Sequence, residues 1–143
     1  MITKLCGKEI MVLIDTSVII NYLKNVDDQY TNTLTFLIDN KYPIGINNYI
    51  YQEILQGAKS EKEYEILKQY LNQFHFYQLS GKSSYEAAAM MNVQCRNSGI
   101  TIRSTINLLI AQTAIENDIL LLTYDSDFYN MAKVIPQLRI FEI

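Results

Sequence analysis

The chain has 143 residues and a mass of 16.6 kDa, enough for one domain around a single core. Its composition, 49% apolar or aromatic and 19% charged, is globular and argues against disorder. The net charge of −3 excludes non-specific attraction of polyanions, and a single histidine excludes His-rich zinc sites and mechanisms needing two imidazoles.

Cys6 and Cys95 form no CxxC pair and suit a reducing compartment better than a disulfide scaffold. No apolar run approaches the roughly 18–20 residues of a membrane span. The opening MITKLCGKEI carries charge without a hydrophobic stretch, unlike a secretory signal. These features predict a cytoplasmic protein with no membrane association. The domain spans residues 1–143, with residues 1–10 read as a short peripheral extension.

Along the chain, residues 10–14 (IMVLI) form a continuous branched apolar run, the mark of a strand buried on both faces. The strand ends at Asp15, and Ile19, Ile20 and Leu23 share a helical stripe after it. Asp28–Asn40 reads as a second helix. Pro43–Ile46 is a short strand opened by proline, and Asn47 or Asn48 caps a helix running to Gly57. Glu61–Asn72 is amphipathic, with Tyr64, Leu67 and Leu71 on one face. Phe74–Leu79 is strand-like, and Lys82–Asn97 is a helix closed by Ser98-Gly99. Ser104 caps a helix to about Asn117; Ile119–Thr123 (ILLLT) is a second buried strand; Tyr124–Asp127 turns into a short helix ending near Val134. Leu138–Ile143 is a final strand.

Alternating strands and helices predict an α/β domain with a central parallel sheet of about four to five strands, flanked by helices on both faces. Ligands of such sheets sit outside the carboxyl ends of the strands. Asp15 lies there after the first strand, and Asp125 and Asp127 after ILLLT. Glu53 follows the second strand, and Asn107 opens the helix after Gly99. Each has a structural alternative: Asp15, Asp125 and Asp127 as caps or turn residues, Glu53 as a solvated glutamate, Asn107 as a reinforcement of the cap. Their convergence on one sheet edge favours a cation site, since clustered carboxylates repel and hard cations prefer oxygen ligands. His75, between Phe74 and Phe76, reads as structural.

The segments VLIDTSVIINYLK, YIYQEILQGA, GITIRSTINLLIAQTAIENDILLLTYDSDF and LRIFEI resemble PIN-domain ribonucleases, in particular the VapC toxins of bacterial toxin–antitoxin systems. The resemblance runs from about Met11 to the end. It implies a metal-dependent endoribonuclease using Mg2+ or Mn2+, with catalytic residues at Asp15, Glu53, Asn107 and Asp125. The metal would fall to Asp15, Asn107 and Asp125 with Asp127 as an accessory acid, and substrate contacts to Arg103 and Thr123. It further implies an RNA substrate, a VapB-like antitoxin partner and a homodimer.

One position departs from the family. Asn107 stands where the family carries an aspartate, and an amide oxygen brings no charge to a Mg2+ site. This implies weakened metal binding and strongly reduced activity. Two origins stay open, a change introduced to disarm a toxic nuclease and a degenerate natural copy; the intact remainder of the site favours the first. The alternative function is a non-catalytic PIN-like module that binds a protein or RNA. Haloacid-dehalogenase phosphatases need an aspartate where Ser17 stands, and response-regulator receivers need an acidic pair and a lysine that are not evident. Tyr22, Tyr30, Phe36, Tyr49, Tyr51, Tyr64 and Tyr70 fall on the first four helices, several off the core stripe, and predict an apolar groove between the early helices for an amphipathic partner segment.

Overall fold

The computed structural model describes residues 4, 5 and 8–143, with side chains from Ile10 onward. β1 (Lys4–Leu5) and β2 (Lys8–Glu9) pair antiparallel. Cys6 lies outside the described residues, so the expected extension over residues 1–10 is described only in part. Ile10, at its end, is buried.

The main sheet holds four parallel strands in the order β5-β4-β3-β6, formed by His75–Phe76 (β5), Ile44–Ile46 (β4), Val12–Ile14 (β3) and Leu120–Leu122 (β6). Val12, Leu13 and Ile14 are each 0% exposed. Successive strand residues point to opposite faces, so both faces of β3 are covered, as its unbroken apolar run requires. The register sets Val12 beside Ile44 and Leu120, and Ile14 beside Leu122. The strands therefore end together, and Asp15 continues the ladder by donating its N–H to the Leu122 carbonyl at 3.0 Å.

The helices are α1 (Thr16–Leu23), α2 (Gln29–Asp39), α3 (Asn48–Gln56), α4 (Glu61–Leu71), α5 (Lys82–Asn97), α6 (Thr105–Glu116) and α7 (Ser126–Val134). Polar caps begin several of them: Asp28 accepts from the N–H groups of Tyr30 and Thr31, Asn47 from Ile50, and Ser60 from Glu63. Ser104 occupies the N-cap position of α6, but its side chain makes no capping bond. Helix α6 is buried without interruption from Leu108 to Ala114, and so forms the centre of the helical packing rather than a surface helix. In α4 only Leu71 is fully buried; Tyr64 and Ile66 are exposed.

Two strands are shorter than the sequence predicts. The expected Phe74–Leu79 strand is reduced to β5. The expected final strand at Leu138–Ile143 is a single parallel bridge between Ile140 and Leu121, held by Leu121 N–H to the Arg139 carbonyl and Phe141 N–H to the Leu121 carbonyl. β6 is only three residues long, and the N–H of its first residue, Leu120, is taken by the Met11 carbonyl. The tail thus has one ladder position to use, and the sheet is four-stranded with the C-terminal segment touching its β6 edge.

Gly45 marks a close approach of β4 to β5. A Cβ there would lie 2.5 Å from the His75 carbonyl oxygen and 2.5 Å from Cε2 of Tyr77. The backbone oxygen cannot give way cheaply. Gly45→Ala should lower the unfolding free energy by about 1–3 kcal/mol in denaturant titration; an unchanged midpoint would show that β4 and β5 are not packed this closely.

Candidate active site

Asp15 stands at the N-cap position of α1 but makes no capping bond to the first turn. Its carboxylate instead accepts hydrogen bonds at Oδ2 from the hydroxyls of Ser17 (2.7 Å) and Thr123 (2.9 Å). The side chain is enclosed, with the residue only 4% exposed. Thr123 is fully buried and links two acids: its hydroxyl donates to Asp15 and accepts from the Asp125 backbone N–H at 3.0 Å. Asp125 in turn caps α7 by accepting the Asp127 N–H at Oδ1. The strand-to-helix turn after β6 therefore aims one carboxylate outward, at Asp125, and one inward, at Asp127.

Asn107 reaches this pair from the first turn of α6. Its side-chain amide donates to Asp125 Oδ2 (3.2 Å) and to Asp127 Oδ2 (3.1 Å). The segment before α6 is set by the end of α5, where Gly99 takes a φ of 79° and the Ile100 and Gly99 N–H groups return to the carbonyls of Cys95 and Arg96. This is a Schellman ending, which needs the left-handed glycine. It carries the chain across so that Arg103 meets the acids. Arg103 donates its backbone N–H to Asp127 Oδ2 (3.1 Å), Nε to Asp127 Oδ1 (3.0 Å) and Nη2 to Asp125 Oδ1 (3.0 Å).

Glu53, half-buried on α3, accepts from the Thr16 hydroxyl at 2.9 Å, which places it beside the residue that follows Asp15. Among the site residues named from the sequence, Asp15, Thr123, Asp125, Asp127, Asn107 and Arg103 form one hydrogen-bonded network, and Glu53 joins it only through its neighbour. Thr123, expected to touch substrate, is 0% exposed and instead ties Asp15 to Asp125. Asp127, expected as an accessory ligand, is buried with both oxygens occupied by Arg103 and Asn107. Ser17 and Thr16 are the residues that sequence reasoning missed. Their signal was position alone, as hydroxyls in the first turn after Asp15. Among the described residues, no three Asp, Glu, His or Cys side chains sit together as a group that could hold a metal ion.

Burial pushes the Asp15 carboxyl above its ordinary value of 3.8; the Ser17 and Thr123 hydroxyls pull it back, and the Asp125 charge raises it further. The larger cause is desolvation rather than repulsion between acids. The Arg103 guanidinium is held more basic than usual, first by its bond to Asp127 and then by the charges of Asp127 and Asp125. A raised folded-state value for Asp15 favours its protonated form in the fold. Its contribution to stability is full below the unfolded value and is lost as pH rises through the folded one. In cation-free buffer, Asp15→Asn should therefore lose less stability than the parent between pH 3.8 and neutrality. Parallel pH profiles of thermal unfolding for the two proteins would contradict this.

The comparisons with known proteins agree on one family. A family model described as the PIN domain matches residues 12–134. The ribonuclease VapC11 of Mycobacterium tuberculosis is 27% identical over 125 residues, which cover 87% of this chain and 93% of the relative. Among solved structures, VapBC2 from Rickettsia felis, bound to a DNA fragment from its promoter, matches with a TM-score of 0.70 at 20% identity, covering 92% of this chain and 98% of that one. VapBC-5 from Mycobacterium tuberculosis, of the VapBC family of toxin–antitoxin systems, matches with a TM-score of 0.64 at 15% identity over 93% of this chain and 98% of that one. With the family match spanning nearly the whole of the sheet and its helices, the chain belongs to the PIN domain family.

Proposed function

We propose that this chain is the endoribonuclease toxin of a toxin–antitoxin pair, hydrolysing RNA phosphodiester bonds with Mg2+ or Mn2+, and that Asn107 leaves this form weakly active or inactive. The observation that carries the reading is the linkage of Asp15, Thr123, Asp125 and Asn107 across the carboxyl ends of β3 and β6. Stability alone gives no reason to bury Asp15 within reach of a second carboxylate.

The donor set suits a hard cation, because Asp15, Asp125 and Glu53 offer carboxylate oxygens with no thiol or imidazole; Asn107 turns its NH2 group to Asp125 and Asp127 and would have to turn its oxygen to an ion. Asp15, Asp125 and position 107 would hold the ion, with Glu53 orienting its shell. The ion would supply an activated water and offset charge on the phosphate. The chain's own residues fix the acids: Ser17 and Thr123 hold the Asp15 carboxylate in one orientation, Thr123 ties Asp15 to the Asp125 backbone, and Asp127 anchors the segment carrying Arg103. With aspartate at position 107, the amide donor to Asp125 and Asp127 would be replaced by a third charge, which a divalent cation must balance.

A VapB-like antitoxin and a homodimer are the partners in this reading. VapC11 is named a ribonuclease, and VapBC-5 belongs to a toxin–antitoxin family. Tyr30 and Phe36, two of the aromatics expected to form a groove, line a cavity of about 1130 Å³, but its other wall is Tyr129 and Phe141 of α7 and the C-terminal tail rather than the early helices. No helix among the described residues is long and apolar enough to cross a membrane, and a toxin acting on cellular RNA would work in the cytoplasm.

A second reading, a non-catalytic PIN module, is favoured by one observation: Arg103 and Asn107 already occupy the oxygens of Asp125 and Asp127. Cleavage of a structured RNA with Mn2+ separates the two. Asn107→Asp should raise the rate over the parent chain by on the order of 10–100-fold, and adding Asp15→Asn should abolish the gain. An Asn107→Asp protein that folds, takes up Mn2+ and leaves RNA intact supports the non-catalytic module.

A further inference from the structure

The guanidinium of Arg103 lies on the acids that the proposed reaction needs. Nη2 bonds Asp125 Oδ1 at 3.0 Å and Ser126 Oγ at 3.3 Å, while Nε bonds Asp127 Oδ1 at 3.0 Å. The two carboxylates differ in exposure. The Asp127 side chain is 3% exposed, that of Asp125 is 28%, and that of Arg103 is 67%. The contact therefore has a buried end at Asp127 and an open end at Asp125. An exposed ion pair of this sort is weak and screened by salt, so its open end can part at little cost. The backbone anchor from Arg103 N–H to Asp127 Oδ2 does not depend on the guanidinium and would keep the segment in place when the side chain swings out.

We propose that Arg103 is the resident counter-cation of the acid cluster, and that a divalent cation binds by displacing its guanidinium from Asp125. This rests on the proposed use of a cation at Asp15 and Asp125. Arginine suits the role because its charge is permanent and its planar fork spans two carboxylates. The guanidinium offsets the charges of Asp125 and Asp127, which stand side by side. Displacement would leave the freed guanidinium, on its flexible stem, at the mouth of the site beside any bound phosphate. Asp127 would remain a positioning residue, tied to the Arg103 backbone, and not a ligand.

A role in ordering the acids predicts the opposite sign for the same substitution, which makes the test direct. Mn2+ affinity is measured by electron paramagnetic resonance of the free ion on the full chain and on its Asn107→Asp form, each with and without Arg103→Gln. Displacement predicts Mn2+ binding about 2–5-fold tighter after Arg103→Gln, with Arg103→Lys closer to the parent because it keeps the charge. In the Asn107→Asp chain, Mg2+ should shift the Nη2–H resonance of Arg103, the group that bonds Asp125, toward that of a solvated guanidinium. Equal or weaker Mn2+ binding in Arg103→Gln, or an Arg103 resonance unmoved at saturating Mg2+, would overturn the proposal and leave the cation site standing. Failure of every form to bind Mn2+ would remove both.

Discussion

Asp15 ends the central strand of the sheet, nearly sealed from solvent, with the Asp125 charge close enough to raise its proton affinity. A buried acid must be satisfied by hydrogen bonds or lose its charge. The surrounding architecture answers that demand. The hydroxyls of Ser17 and Thr123 converge on one oxygen of Asp15, and Thr123 passes the connection to the turn that carries Asp125. From the other side, α6 and the segment before it bring an amide and a guanidinium to Asp125 and Asp127. The site is built as a closed polar network at the edge of an apolar sheet.

The topology makes this closure achievable. β3 lies between β4 and β6, so the chain leaves the sheet at Asp15, at Asn47 and at Thr123 on the same edge. In a parallel sheet every strand presents its carboxyl end in one direction, and polar residues far apart in sequence meet there without special loops. Asn47 illustrates the same economy with no acid involved: it caps α3 through the Ile50 N–H and donates to the Thr113 hydroxyl of α6, fixing that helix against the sheet edge. Asn107 rides on the helix so positioned.

Much of this was legible in the sequence. IMVLI and ILLLT announced buried strands because a strand covered on both faces has no polar positions, and the acids after them followed from chain direction alone. The helices were readable from their apolar stripes and caps. The tail was not, because LRIFEI has strand composition while the edge it meets offers a single pairing position at Leu121. The roles of Thr123 and Arg103 were also hidden. Resemblance pointed both toward substrate, but burial turns Thr123 inward, and the direction of Arg103 depends on the left-handed Gly99 ending of α5. Such pairing is a property of the turn geometry and leaves no periodic trace in the chain. Helix α4 shows a further limit: its stripe is clear, yet only Leu71 is sealed, because the helix lies at the periphery of the core.

The central claim is that Asp15, Asp125 and position 107 form one cation site that the amide of Asn107 holds in a weakened state. Anomalous diffraction from crystals of the Asn107→Asp protein grown with Mn2+ tests it most directly. The account predicts a manganese peak in contact with the carboxylates of Asp15, Asp125 and the substituted position 107, and a weaker peak or none in the parent chain. A fully occupied ion elsewhere, or the same strong peak with asparagine in place, would contradict it.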